Sequence, residues 1–280
     1  MNDLNALSID VEDWFHILDS PTVPTIEQWG SLESRIECNM EKLLAMLDSS
    51  SVKATFFWLG WTAEQHKNLV RKCSEAGHEV ASHGYGHVLP YEVGKEGFKD
   101  DAKRAKKILE DITHKEVLGF RAAGFGIKDD TEWAFDTIVE VGYKYDSSIF
   151  PASRGHGGMP SSTLGPHVVE TQSGPLIEIP VSAIEVLGYR LSLFGGGYLR
   201  LFPKWVIQWG IRKLHNVGHP LIVYVHPREI DPDQPRLPLS LMRRFKCYVN
   251  LESTLPKLRW LCENYRFVPI CQLVDTYSGS

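Results

Sequence analysis

The chain has 280 residues, 43% of them apolar, and 30 Lys and Arg against 35 Asp and Glu, a formal charge of −5. That length can bury one large core, so a single α/β barrel domain over 1–280 is expected, and the acidic balance argues against nucleic acid or an anionic membrane as partner. No run of eighteen apolar residues is present, and the start Met1-Asn2-Asp3-Leu4-Asn5 lacks leader character, so no membrane span and a cytoplasmic setting are expected.

Leu4 to Ile9 reads as a strand running into Asp10-Val11-Glu12-Asp13-Trp14-Phe15-His16, which puts three carboxylates at its exit. A solvated turn or a helix N-terminus would show the same acids. Beyond Pro21 and Pro24, the spacing of Ile36, Met40, Leu43, Leu44 and Leu47 predicts an amphipathic helix from about Leu32 to Leu47. Val52 to Leu59 is β-branched and aromatic and reads as a buried strand; Ala63 to Glu75 reads as a helix closed by Gly77. His78 to Ala81 is the next strand, followed by a charged helix, Phe98 to Ile112, that turns Ala102, Ala105, Ile108 and Leu109 inward.

Val117 to Phe120 is a strand delivering Arg121, and after a helix from Trp133 to Val141 the segment Tyr143-Lys144-Tyr145 delivers Asp146. Ala152 to Pro175, with Gly155, Gly157, Gly158 and Pro160, reads as a mobile loop able to cover a site. Ile177 to Val181 is a strand, Gly195-Gly196-Gly197-Tyr198 a flexible turn, Trp205 to Leu214 a helix, and Pro220 to Val225 a strand ending at His226. A helix from Leu255 to Glu263 and a closing strand from Phe267 to Ile270 complete seven or eight strand-helix units, which favours a parallel barrel over an open sheet. The five cysteines are scattered, with no C-x-x-C, and suggest neither a disulfide framework nor a cysteine zinc site; a reducing compartment fits them.

Ser82-His83-Gly84-Tyr85-Gly86-His87 sets two imidazoles four residues apart in a glycine-rich loop, a spacing that suits metal ligands. Two of eleven histidines could also meet by chance. Taken singly, Arg121 could be a surface ion-pair partner, Asp146 a turn residue and His226 a core histidine. Yet Asp10, Glu12, His83, His87, Arg121, Asp146 and His226 all fall at or just past the C-terminal ends of predicted strands, and in a parallel barrel those ends share one face. The other eight histidines, His16 among them, read as structural or solvated.

Asp10-Val11-Glu12, Ser82 to His87, Arg121, Asp146 and Tyr224-Val225-His226 together resemble the ordered motifs of the NodB-homology polysaccharide deacetylases, carbohydrate esterase family four. Ser8 to Phe15, Tyr145 to Pro151 and Gly195 to Arg200 resemble the branch associated with bacterial exopolysaccharide clusters. The resemblance implies a distorted (β/α) barrel of about seven parallel strands, a divalent metal with Zn²⁺ as the expected ion, and removal of N-acetyl groups from N-acetylhexosamine units of a polysaccharide or glycan precursor. It further implies Glu12, His83 and His87 as metal ligands, Asp10 as general base, His226 as general acid, Arg121 as ion-pair partner of the base, and Asp146 as the group that orients His226.

Three departures stand out. Val11 separates the usual adjacent acids, so Asp13 rivals Glu12 as ligand; Ala123 stands where proline is usual; and Tyr224 replaces an aliphatic residue beside the acetyl pocket. Trp14, Phe15, Trp61 and Phe125 are candidate sugar platforms, with core packing as their simpler role. A catalytically silent glycan-binding barrel and a hydrolase of another linear or cyclic amide are the alternatives. Oligomeric state is not legible.

Overall fold

In the computed structural model, which describes residues 4–18, 22–152 and 157–277, the first strand, β1 (Asn5–Val11), is buried along its whole length. Pro21 and Gly155, named above, lie outside the described residues. Strand alternation sorts the β1 side chains between two cores. Leu7, Ile9 and Val11 pack outward with Ile36, Met40, Leu43 and Leu47 of a covering helix. Ala6 packs inward with Phe57, Ala81, Tyr145, Ile179 and Ile222. Ser8 and Asp10 continue that inner row toward the strand's C-terminal end.

The remaining strands are β2 (Thr55–Trp58), β3 (Glu79–Ser82), β4 (Gly119–Phe120), β5 (Tyr145–Asp146), β6 (His167–Thr171), β7 (Gly174–Glu178), β8 (Ile184–Val186), β9 (Tyr189–Leu191), β10 (Ile222–Val225) and β11 (Phe267–Val268). The helices are α1 (Ile26–Trp29), α2 (Ile36–Ser49), α3 (Gly60–Gln65), α4 (Lys67–Glu75), α5 (Pro90–Thr113), α6 (Trp133–Val141), α7 (Gly196–Leu201), α8 (Lys204–Asn216), α9 (Leu241–Tyr248), α10 (Thr254–Asn264) and α11 (Ile270–Asp275).

The main sheet runs β10-β1-β2-β3-β4-β5-β7-β6. Its pairs are parallel except the last, where β6 folds back on β7 as a hairpin. The sheet curls until its two sides meet through one residue: Ser182, just past β7, accepts the Ile222 N–H on Oγ at 2.8 Å and donates its own N–H to the Ile222 carbonyl at 3.3 Å. This is a distorted barrel, tied shut by a side chain where a full strand pair would otherwise close it. β11 pairs with Asn5 and Ala6, below the point where β2 begins at Ser8, and α11 then carries Ile270, Leu273 and Val274 into the inner apolar layer.

Several expectations are corrected. The 63–75 helix is two helices that break at His66. The described part of 152–175 contains β6 and the start of β7, so much of it is sheet. Gly195-Gly196-Gly197 opens α7. Glycine is needed at 195 because a Cβ there would come within 2.1 Å of the Tyr224 ring. The hairpin β8-β9 and helix α9 were not foreseen; both are short, and several of their large apolar side chains are exposed.

Candidate active site

β4 ends at Phe120, so Arg121 enters the barrel near its C-terminal rim, where it is fully buried with its guanidinium carbon 4.1 Å from the Phe57 ring centre. A buried guanidinium must spend its donors. Nη1 donates to Ser8 Oγ at 2.8 Å and to Asp10 Oδ1 at 2.7 Å, Nε to the Ser147 carbonyl at 3.0 Å, and Nη2 to Ser147 Oγ at 2.8 Å. Asp10 is thereby fixed by one oxygen. The other, Oδ2, lies 3.9 Å from His226 Nε2.

His83 Nδ1 is 2.8 Å from the Arg121 carbonyl oxygen. A carbonyl only accepts, so Nδ1 carries a proton and Nε2 is the atom left to face the cluster. It lies 3.2 Å from Glu12 Oε1, and His87 Nε2 lies 3.1 Å from the same oxygen. Each of these contacts is closed either by a proton on the imidazole or by a cation between the atoms. Tetrahedral Zn²⁺ with bonds near 2.0 to 2.1 Å separates its ligands by about 3.3 Å, so the spacing suits such an ion. The three ligand atoms lie within 4.8 Å of one another.

The histidine loop is held from α5: Asp101 accepts the Tyr85 N–H at 2.7 Å and the Gly86 N–H at 2.8 Å. Gly84 has φ +73°, and a Cβ there would meet Asp101 Oδ2 at 2.5 Å. His87 itself is left-handed at φ +54°, a conformation uncommon for residues other than glycine. Asp13 is turned away from the cluster, accepting from Trp14 N–H, Ser34 Oγ and Arg35 N–H at 2.8, 2.6 and 3.0 Å. This geometry favours Glu12 over Asp13 as the ligand.

His226 follows β10, with Nε2 3.4 Å from Glu12 Oε1. Its Nδ1 bonds Glu229 Oε1 at 2.6 Å, and Glu229 is in turn paired with the buried Arg200. Burial alone would lower the imidazole's pKa, but the Glu12 charge and the bonds to Glu12 and Glu229 raise it to about 9. Glu229 is held at about 2: burial opposes the charge, and the Arg200 and His226 cations outweigh it.

Glu229 therefore occupies the place expected for Asp146. Asp146 accepts from Ser148 Oγ at 2.6 Å and Ser148 N–H at 3.1 Å and lies against Glu178. Burial and the neighbouring Asp146 charge push Glu178 well above the usual carboxylate range, so one proton is retained by this pair. β5 thus directs Asp146 toward the β7 side of the barrel. The signal for Glu229 is in the sequence: in His226-Pro227-Arg228-Glu229 the acid stands three residues after a strand end and its carboxylate reaches back to the His226 N–H, the capping-box arrangement.

His16 also belongs here. Its Nδ1 accepts the Asp13 N–H at 3.0 Å, which leaves the proton on Nε2, and burial holds the ring neutral by keeping its pKa well below the usual histidine value. The ring lies 4.2 Å from Trp29, 4.5 Å from Phe15 and 6.2 Å from His87 between centres. Trp14, Phe15 and Trp29 form a buried cluster, with Trp61 half-buried against it, so packing is the role of Trp14 and Phe15. Phe125 and Tyr224 instead wall a cavity of about 570 Å³ whose floor includes Asp10, Glu12, His87 and His226. Sugar-sized ligands fit such a volume.

A curled parallel sheet that gathers three imidazoles and two carboxylates beside a buried arginine at its strand ends defines the class of (β/α)-barrel proteins with a candidate metal site. The polysaccharide deacetylase family model matches residues 29–145, and a domain of unknown function (DUF3473) matches residues 147–275. The peptidoglycan deacetylase of Helicobacter pylori is 26% identical over 113 residues, 40% of this chain and 38% of that protein. The peptidoglycan-N-acetylglucosamine deacetylase of Bacillus cereus is 34% identical over 68 residues, 24% of this chain and 25% of that one. The aligned stretches thus span well under half of either relative. A Mycobacterium smegmatis structure described as a polysaccharide deacetylase superposes with a TM-score of 0.65 at 19% identity, covering 98% of this chain and 89% of that one, and shows the same fold. Over residues 29–145 the chain is thus similar to the polysaccharide deacetylase family.

Proposed function

We propose that the protein hydrolyses the N-acetyl group of N-acetylhexosamine units in a glycan or glycan precursor, with a divalent metal, Zn²⁺ by the donor set, on Glu12, His83 and His87. The observation that carries the reading is the convergence of His83 Nε2 and His87 Nε2 on Glu12 Oε1, with Asp10 and His226 beside it. When bound, such an ion polarises the acetyl carbonyl and acidifies water. Asp10, pinned on Oδ1 by Arg121, has Oδ2 available to take the proton of the attacking water. His226, whose Nδ1 is bonded to the Glu229 carboxylate, stands 3.9 Å away and would hand its Nε2 proton to the leaving amine. Phe125 and Tyr224 narrow the cavity beside these groups, and Tyr224 in place of an aliphatic side chain makes that wall flatter.

The test is acetate release from N-acetylated oligosaccharides by the metal-loaded protein, with metal content measured in parallel. His83→Ala should lose both the metal and at least about a hundredfold in rate. Acetate release at the normal rate by that variant would end the proposal.

A further inference from the structure

We propose that the acetamido sugar reaches this cavity on a lipid carrier to which it is joined through phosphate, so that the protein's substrate is an anionic amphiphile. This rests on the deacetylase reading and names its substrate class. The same cavity that has Asp10, Glu12 and His226 in its floor is lined further out by Leu191 of β9, Tyr198 and Leu201 of α7, and Met242 and Phe245 of α9. These side chains are well exposed, Met242 at 67% and Phe245 at 52%, although large apolar groups of this kind are normally covered. Outside the cavity lining, the β8-β9 turn presents Leu187 and the start of α9 presents Leu241, exposed at 93% and 86%. A polar oligosaccharide gives no reason for an apolar mouth. A hydrocarbon chain does.

The charges point the same way. Arg190, Arg228 and Lys246 line this cavity, and among the described residues its only carboxylates are Asp10, Glu12 and Glu229, all engaged at the floor. The buried Arg228 Nε makes no hydrogen bond, its nearest carboxylate oxygen being Glu12 Oε2 at 3.9 Å. α9 carries Arg243, Arg244 and Lys246 without an acid, in a chain whose net charge is −5. The acidic total therefore conceals a basic collar. In a 2-acetamido sugar carrying phosphate on C1, amide and phosphate sit on adjacent carbons, so an amide held over Asp10 and His226 brings its phosphate into the same cavity as Arg228.

Three probes, kept below their micelle concentrations, separate the contributions: N-acetylglucosamine on a dodecyl diphosphate, the same sugar diphosphate without the chain, and the dodecyl glycoside without phosphate. The metal-loaded protein should deacetylate the first with kcat/KM at least about tenfold above either of the others. Met242→Ser with Phe245→Ser should remove the advantage given by the chain, and Lys246→Glu the advantage given by the phosphates; these exposed sites leave the fold intact, which circular dichroism checks. Binding of dodecyl diphosphate, which has no amide to cleave, should weaken by about the same factor in those variants.

Equal kcat/KM for all three probes alongside turnover of a soluble N-acetylated oligosaccharide would overturn the lipid-carrier inference and leave the deacetylase reading standing. Tight dodecyl diphosphate binding, sensitive to the variants, without turnover of any probe would uphold the amphiphile site and sink the deacetylase reading. Absence of dodecyl diphosphate binding would also overturn the inference.

Discussion

In the proposed hydrolysis His226 is the side chain whose protonation governs the rate, and Glu229, bonded to its Nδ1, is the group placed to sustain it. To donate to the amine it must carry its proton, so kcat/KM falls as pH rises through its pKa, which the Glu229 carboxylate on Nδ1 raises. Glu229→Gln retains an acceptor near Nδ1 but removes the negative charge. The alkaline limb of the pH profile should move to lower pH by about one unit, with a loss of about tenfold above the limb and little change well below it. Asp146→Asn should leave that limb in place, because Asp146 bonds Ser148 and lies against Glu178. A profile in which Asp146→Asn moves the limb and Glu229→Gln does not would return the orienting role to Asp146. At this scale the sequence was informative about placement at strand exits, as for Asp10, His83 and Arg121, which the fold brings together. It was silent where the task depends on the partner reached, and so Glu229 and His16 were missed.

The loop from His83 to His87 is a small element held by a larger one. Asp101 on α5 accepts two of its backbone N–H groups, and removing that carboxylate leaves both half-buried donors without their partner, at a cost of up to about 1–3 kcal/mol each. Asp101→Ala should therefore weaken metal affinity about ten- to a hundredfold while His83 and His87 stay in place, measurable by competition with a chromophoric chelator. Unchanged affinity would mean that the loop keeps its shape by itself. Strands and long helices were legible for a related reason: β1 is buried on both faces, and the inner stripe of α2 repeats at helical spacing. The hairpin β8-β9 and helix α9 are short and carry several of their large apolar groups outward, so hydrophobicity is a poor guide to burial there. Those are the elements that form the cavity's mouth.

The two family matches meet between residues 145 and 147, at the end of β5 and within a single curled sheet. β1, which precedes both matches, is paired with β10 from one match and β2 from the other, and the site takes His83 and His87 from the first and His226 from the second. Neither half contains a complete sheet or a complete site, so we expect the whole chain to unfold in one transition. Metal should act on that single transition. An ion present at a hundred times its Kd stabilises the folded state by about 2.7 kcal/mol. For a chain of this size that corresponds to a rise in Tm of about 5 °C or more. Glu12→Gln should abolish the rise, since it removes the anion that His83 and His87 share. Asp10→Asn should retain it while losing turnover, because Asp10 is held by Arg121 and is not part of the trio. Calorimetry of metal-stripped protein with and without added Zn²⁺ reads both effects. Two separable transitions would refute the single unit, and an equal rise in Glu12→Gln would place the ion elsewhere.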